Sequence, residues 1–162
     1  MEQAAPGSAR PTGAASSQHP SASASQPALE AEVVAERTRW NHAYLDPVWR
    51  NTRFNAAPNG LLVETVRLLP PGDALDVHMG EGRNALHLAS RGWQVTGVDM
   101  ADQGVAYARQ QAQQRGLLLT THAQDTHSYD WGHARWDLLV LCYTDELDHA
   151  VQAANALRRG GW

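Results

Sequence analysis

The sequence predicts a three-layer α/β sandwich built on a mostly parallel sheet. Three observations predict it. From Ala74 onward, short apolar runs of strand length alternate with stretches of helical periodicity. Glycines follow those helical stretches, at Gly92, at Gly116 and at Gly160-Gly161, where a helix commonly closes. A glycine-rich turn, Gly80-Glu81-Gly82, joins the first strand to the helix after it. Strands that alternate with helices imply parallel pairing through right-handed crossovers.

Taken in order, residues 1–28 are mainly alanine, serine, proline, glycine and glutamine. Such a segment cannot bury enough apolar surface to offset its ordering entropy, and it reads as a disordered tail before a domain at 29–162. A helix is expected over 29–45, carrying Val33, Val34, Trp40 and Tyr44 and ended by Pro47; Trp49 and Phe54 then fall in a loop-like stretch. Pro58-Asn59-Gly60 opens a helix over 60–69, and Pro70-Pro71-Gly72 stops it. Strands follow at Ala74–Met79, Trp93–Val98, Leu117–His122 and Trp136–Tyr143. The helices between and after them are Arg83–Arg91, 102–115 and 145–159. Thr144 is placed to cap the last helix, with Asp145 and Glu146 in its first turn. The sequence ends at Gly-Gly-Trp where a further strand is expected, so the sheet reads as incomplete at its C-terminal edge.

Composition narrows the function classes. The formal net charge is −4, and all 13 basic residues are arginines without clustering, which argues against a nucleic-acid or anionic-membrane surface. No apolar run approaches the ~18 residues of a membrane span. The one cysteine, Cys142, allows no internal disulfide and fits a reducing, cytoplasmic setting. His122, His127 and His133 lie near Asp125 and Asp130, yet their spacing matches no zinc pattern, so no metal is expected. His42, His87 and His149 are scattered and read as helix-face positions.

The chemistry concentrates in residues 74–100. Gly80-Glu81-Gly82-Arg83-Asn84-Ala85 satisfies G-x-G-x-x-G/A, follows a strand and opens a helix, with an acid, Asp99, at the end of the next strand. Gly80 and Gly82 let the backbone approach a ligand, and the helix from Arg83 aims its amides at it. Asp99 is placed to accept ribose hydroxyls, as in dinucleotide sites. Asp76, just before the loop, separates the ligand classes. Beside a pyrophosphate at ~4 Å, its charge would cost about 4 kcal/mol at an effective dielectric near 20. A ligand with an ammonium or sulfonium centre would instead be attracted. Asp76 therefore favours S-adenosylmethionine over NAD or FAD.

These residues carry a family resemblance. Pro58-Asn59, Leu75 through Ala85, Gly92-Trp93-Gln94-Val95-Thr96-Gly97-Val98-Asp99, Ala123-Gln124-Asp125 and Trp136 through Val140 resemble the class I S-adenosylmethionine-dependent methyltransferases. Within that class the chain is similar to the small bacterial enzymes of the tellurite-resistance and thiopurine type. The resemblance implies a Rossmann-like fold and a role for each matching residue. Asp76 and residues 78–82 would hold the methionine portion of the cofactor. Asp99 would take the ribose hydroxyls, Met100 would pack on the adenine, and Asp125 would accept from the adenine amino group. Leu141, Cys142 and Tyr143 would face the reacting methyl. Nothing near Cys142 in sequence lowers its pKa, so it reads as a small buried residue and not as a nucleophile.

One position departs from the pattern. His78 stands where the family has the first of three loop glycines. A side chain there is strained if φ is positive, by about 1 kcal/mol or more. The imidazole is expected to weaken cofactor binding, with donation to the cofactor carboxylate as the alternative. The aromatic group Trp40, Tyr44, Trp49 and Phe54 either packs the first helix on the sheet or, as the resemblance implies, forms a lid. In the second case Arg50 and Arg53 would meet an anionic group. The leading expectation is methyl transfer to a small-molecule acceptor. The alternatives are an NAD-dependent oxidoreductase and a non-catalytic methyltransferase remnant. No catalytic base, acceptor or oligomeric state is legible.

Overall fold

The computed structural model describes residues 25–53, 55–142 and 148–162. Residues 1–24, Phe54, Tyr143, Thr144, Asp145, Glu146 and Leu147 lie outside the described residues. The elements are α1 (Gln26–Leu45), α2 (Pro47–Arg53), α3 (Gly60–Val66), β1 (Asp73–Val77), α4 (Arg83–Ser90), β2 (Gln94–Asp99), α5 (Asp102–Gln114), β3 (Leu119–Ala123), β4 (Leu138–Leu141) and α6 (Asp148–Ala156).

The four strands form one sheet in the order β3-β2-β1-β4. Every pair is parallel, with Asp76 opposite Gly97 on one side and Val140 on the other. Reversal of strand order beside β1 opens a crevice at the carboxyl ends, where ligands of such sheets bind. Helices cover both faces. On one face, Leu62 and Val66 of α3, Ala85 and Leu88 of α4, and Val105 and Ala108 of α5 pack on Ala74, Val95, Leu138 and Val140. On the other, Ala153 and Ala156 of α6, with Trp131 and Trp136, pack on Leu75, Val77 and Val98. Side chains alternate along β1, so Asp76 shares the face of Ala74 and looks toward α4. Beyond α6, the Trp162 N–H donates to the Asp137 carbonyl and the Leu139 N–H to the Trp162 carbonyl, the pattern of a parallel neighbour to β4.

Three features differ from expectation. α1 begins at Gln26, three residues ahead of Leu29, with a proline in its first turn. The stretch after Pro47 is a helix, α2, and not a loop. Asp46 explains it: its Oδ1 accepts the Val48 and Trp49 N–H groups at 2.8 and 3.2 Å, so Pro47 ends one helix and begins the next. Replacing Asp46 by alanine is expected to cost about 1 kcal/mol in urea unfolding, the usual value of an N-cap. Finally, α1 buries none of its residues and packs mainly on α5 and α2.

Candidate cofactor site

The chain leaves β1 through three left-handed residues: His78 at φ 55°, Gly80 at 56° and Gly82 at 78°. The φ at His78 is positive, the condition under which a side chain there is strained, and histidine is among the residue types that tolerate it. The turn is held from within. The Met79 N–H donates to the Val98 carbonyl at 3.1 Å, and the Gly82 N–H donates to the Met79 carbonyl at 2.9 Å. Two of the positions demand glycine for space as well as for φ. A Cβ on Gly82 would stand 2.8 Å from Ala108 Cβ, and one on Gly80 would run into the Tyr44 hydroxyl.

Two buried carboxylates flank this loop. Asp99 is 7% exposed, and its Oδ2 accepts the Gly80 N–H at 2.8 Å while Oδ1 accepts the Ala101 N–H at 2.8 Å. Each oxygen retains a second lone pair, since a carboxylate offers about four acceptor sites. Burial raises the Asp99 pKa, against the two backbone bonds and His78, which lower it. Asp76 is 1% exposed, and burial pushes its pKa up to about 7. The Ala85 N–H opposes that shift, the nearby Asp99 charge adds to it, and Arg83 opposes it. Asp76 Oδ2 has no hydrogen-bond partner among the described residues. A buried acceptor without a donor is costly unless a ligand supplies one.

The other expected site residues lie around this centre. Met100 follows β2 directly and is half-buried. Cys142 follows β4; burial first, then the charge of Asp76, raises its thiol pKa, so it remains a thiol. Asp125 lies past β3, in a recess of about 450 Å³ whose other wall is Leu29, Val33 and Arg37 of α1. The glycine loop does not line that recess.

Sequence reasoning missed several contacts. Tyr44 of α1 lies over Gly80 and Gly104, and burial with the charges of Asp99 and Glu81 pushes its phenol pKa up. Asn41 Oδ1 accepts the Gln103 N–H at 3.0 Å, at the start of α5. Arg50 pairs with Glu81 of the loop at 2.5 Å and stacks over the Tyr107 ring, so a loop carboxylate is its anionic partner. His149, expected on a helix face, is buried and meets His78. These pairs join residues far apart in sequence, and no local spacing signals them.

Comparison with known proteins places the chain. Residues 74–161 match the family described as methyltransferase domain. A ubiquinone biosynthesis O-methyltransferase of Sodalis glossinidius is 33% identical over 86 residues, 53% of this chain and 34% of that protein. A probable S-adenosyl-L-methionine-dependent methyltransferase, TehB of Haemophilus influenzae, is 28% identical over 72 residues, 44% of this chain and 25% of that one. The chain thus spans about a third or less of the length of these curated relatives. In fold it is similar to a methyltransferase of Geobacter sulfurreducens solved with S-adenosyl-L-homocysteine, with TM-score 0.56, 22% identity, and coverage of 69% of this chain and 50% of that one. The strand order, the left-handed loop, the paired carboxylates and the matched span agree: this chain belongs to the methyltransferase domain family.

Proposed function

We propose that this domain binds S-adenosylmethionine and serves methyl transfer to a small-molecule acceptor. One observation carries the reading: the buried Asp76 Oδ2 beside the glycine loop, which lacks a hydrogen-bond donor among the described residues. An ammonium group satisfies such an oxygen, and a pyrophosphate repels it. The residues present therefore fit this cofactor better than a dinucleotide.

When bound, the cofactor supplies an electrophilic methyl group on sulfur. The chain's own task is binding, alignment and exclusion of water. Asp76 would take the ammonium, and residues 78–82, including His78, Gly80 and Gly82, would border the methionine portion. Asp99 would accept ribose hydroxyls on its remaining lone pairs, Met100 would lie against the adenine, and Asp125 would accept from the adenine amino group. Cys142 would border the reacting end as a neutral thiol. α1 and α2 would act as the lid, fastened through Tyr44 on Gly80 and through Arg50 on Glu81. A helix with no buried residue separates from its support at low cost, as a lid must. The unclustered arginines and the net charge of −4 favour a small acceptor over nucleic acid, and the unpaired Cys142 favours a cytoplasmic setting. Among the described residues, no helix is long and apolar enough to cross a membrane.

Calorimetric titration separates this reading from the nicotinamide alternative. S-adenosylhomocysteine is expected to bind with measurable heat and NADH to give none. Heat with NADH alone would reverse the assignment.

A further inference from the structure

His78 is the one residue with a side chain among the three left-handed positions of the loop, and its ring is engaged. Its Nε2 lies 3.3 Å from Nε2 of His149 and 3.1 Å from Oγ1 of Thr126. The two imidazoles are tilted by only 19°, with centroids 5.5 Å apart. That separation is close to the nitrogen–nitrogen distance plus the two ring radii. The rings therefore meet end to end and nearly coplanar, the geometry of an in-plane N–H···N bond and not of a face-to-face stack. His149 is itself fixed. It is 1% exposed, with the Trp131 ring edge-on at 5.3 Å and the His127 ring at 5.0 Å. Trp131 in turn donates its indole N–H to the Thr126 carbonyl at 3.0 Å, so Thr126 and His149 present a rigid pair of partners to His78.

Proton counting assigns the direction. A neutral imidazole nitrogen carries either a proton or one lone pair. One N–H can be shared between two acceptors, whereas one lone pair serves two donors poorly. For a neutral pair this count puts the shared proton on His78 Nε2, between His149 Nε2 and Thr126 Oγ1, and leaves the His149 proton on Nδ1. The left-handed backbone at His78 turns Met79 inward and brings the Gly80 N–H onto Asp99.

We propose that His149 of α6 is a positioning residue for the cofactor loop. It acts through His78, whose imidazole it holds by an in-plane Nε2–H···Nε2 bond, tying the loop to α6 and to the segment after β3. The proposal rests on the cofactor reading given above. It gives the histidine at the first loop position a partner found 71 residues away.

The test is a double-mutant cycle read by S-adenosylhomocysteine affinity, with imidazole ¹⁵N spectra of the wild-type chain. His149→Phe is expected to lower affinity roughly three- to tenfold, the range of one lost hydrogen bond. His149→Gln, whose amide oxygen can accept the same proton, is expected to stay within about twofold of wild type. In a His78→Gly background, His149→Phe is expected to change affinity by less than about twofold, because its route to the loop is gone. The spectra are expected to show an Nε2–H tautomer for His78 and an Nδ1–H tautomer for His149. The same tautomer in both rings, or an equal loss from His149→Phe in both backgrounds, overturns the proposal alone. Absence of binding by the wild-type chain overturns the cofactor reading and the proposal together.

Discussion

Replacing Asp76 by asparagine is expected to weaken S-adenosylhomocysteine binding about a hundredfold at pH 8, the usual cost of removing one partner of a buried charge pair. The same substitution is expected to raise the stability of the ligand-free chain at that pH. Both effects have one cause. Burial pushes the Asp76 pKa up to about 7 in the folded chain, from an ordinary value of 3.8. Between these values the folded chain binds more protons than the unfolded one, so stability falls as pH rises. The contribution from the protonated acid is fully present below pH 3.8 and is lost as pH climbs through about 7. Asparagine is neutral throughout and removes that slope, a gain on the order of 4 kcal/mol at pH 8. Urea unfolding of both chains at pH 5 and pH 8 checks it. The stability gap is expected to widen with pH, and an equal gap at both would show that Asp76 is already ionised in the folded chain at pH 5.

Asp99→Asn is expected to act in the opposite sense on stability, lowering it by about 2 kcal/mol, the range for hydrogen bonds to a charged group. Its two oxygens accept two backbone donors, the N–H groups of Gly80 and Ala101. An asparagine presents one oxygen and one NH₂, so one of these donors must face another donor. If the amide turns toward Gly80, the loop loses its tie to the end of β2. Cofactor affinity is then expected to fall about thirtyfold, combining the displaced loop with the lost ribose acceptor. Calorimetry and urea unfolding read the two losses separately. Unchanged stability with lost affinity would leave Asp99 as a ligand contact only.

The stretch from Ala74 to Asp99 was legible in sequence because its determinants are local. Left-handed turns call for glycine at Gly80 and Gly82, and buried parallel strands call for the apolar runs around Leu75 and Val98. Boundaries blurred where an apolar residue is not buried. Leu118 extends the apolar run but is 90% exposed, and β3 starts after it at Leu119. Val34 has the periodicity of a core position, yet α1 lies on polar and ring contacts at the rim of the crevice and leaves it 64% exposed. α2 is hidden in the sequence because Pro47 reads as a terminator, whereas the preceding Asp46 caps a new helix there. Within the site, Asp76 and Asp99 announce themselves by position relative to the loop. The pairs Arg50–Glu81 and His78–His149 form only when the chain folds, so no spacing within either segment encodes them.

The decisive quantity is the number of protons released when S-adenosylhomocysteine binds at pH 6.5, measured by calorimetry in buffers of different ionisation enthalpy. An ammonium seated on Asp76 forces that carboxyl to ionise, so about 0.5–1 proton is expected to leave per ligand bound by the wild-type chain, and close to none in Asp76→Asn. Tight binding by the wild-type chain with no net proton release would contradict the central claim that this buried acid is what selects the cofactor.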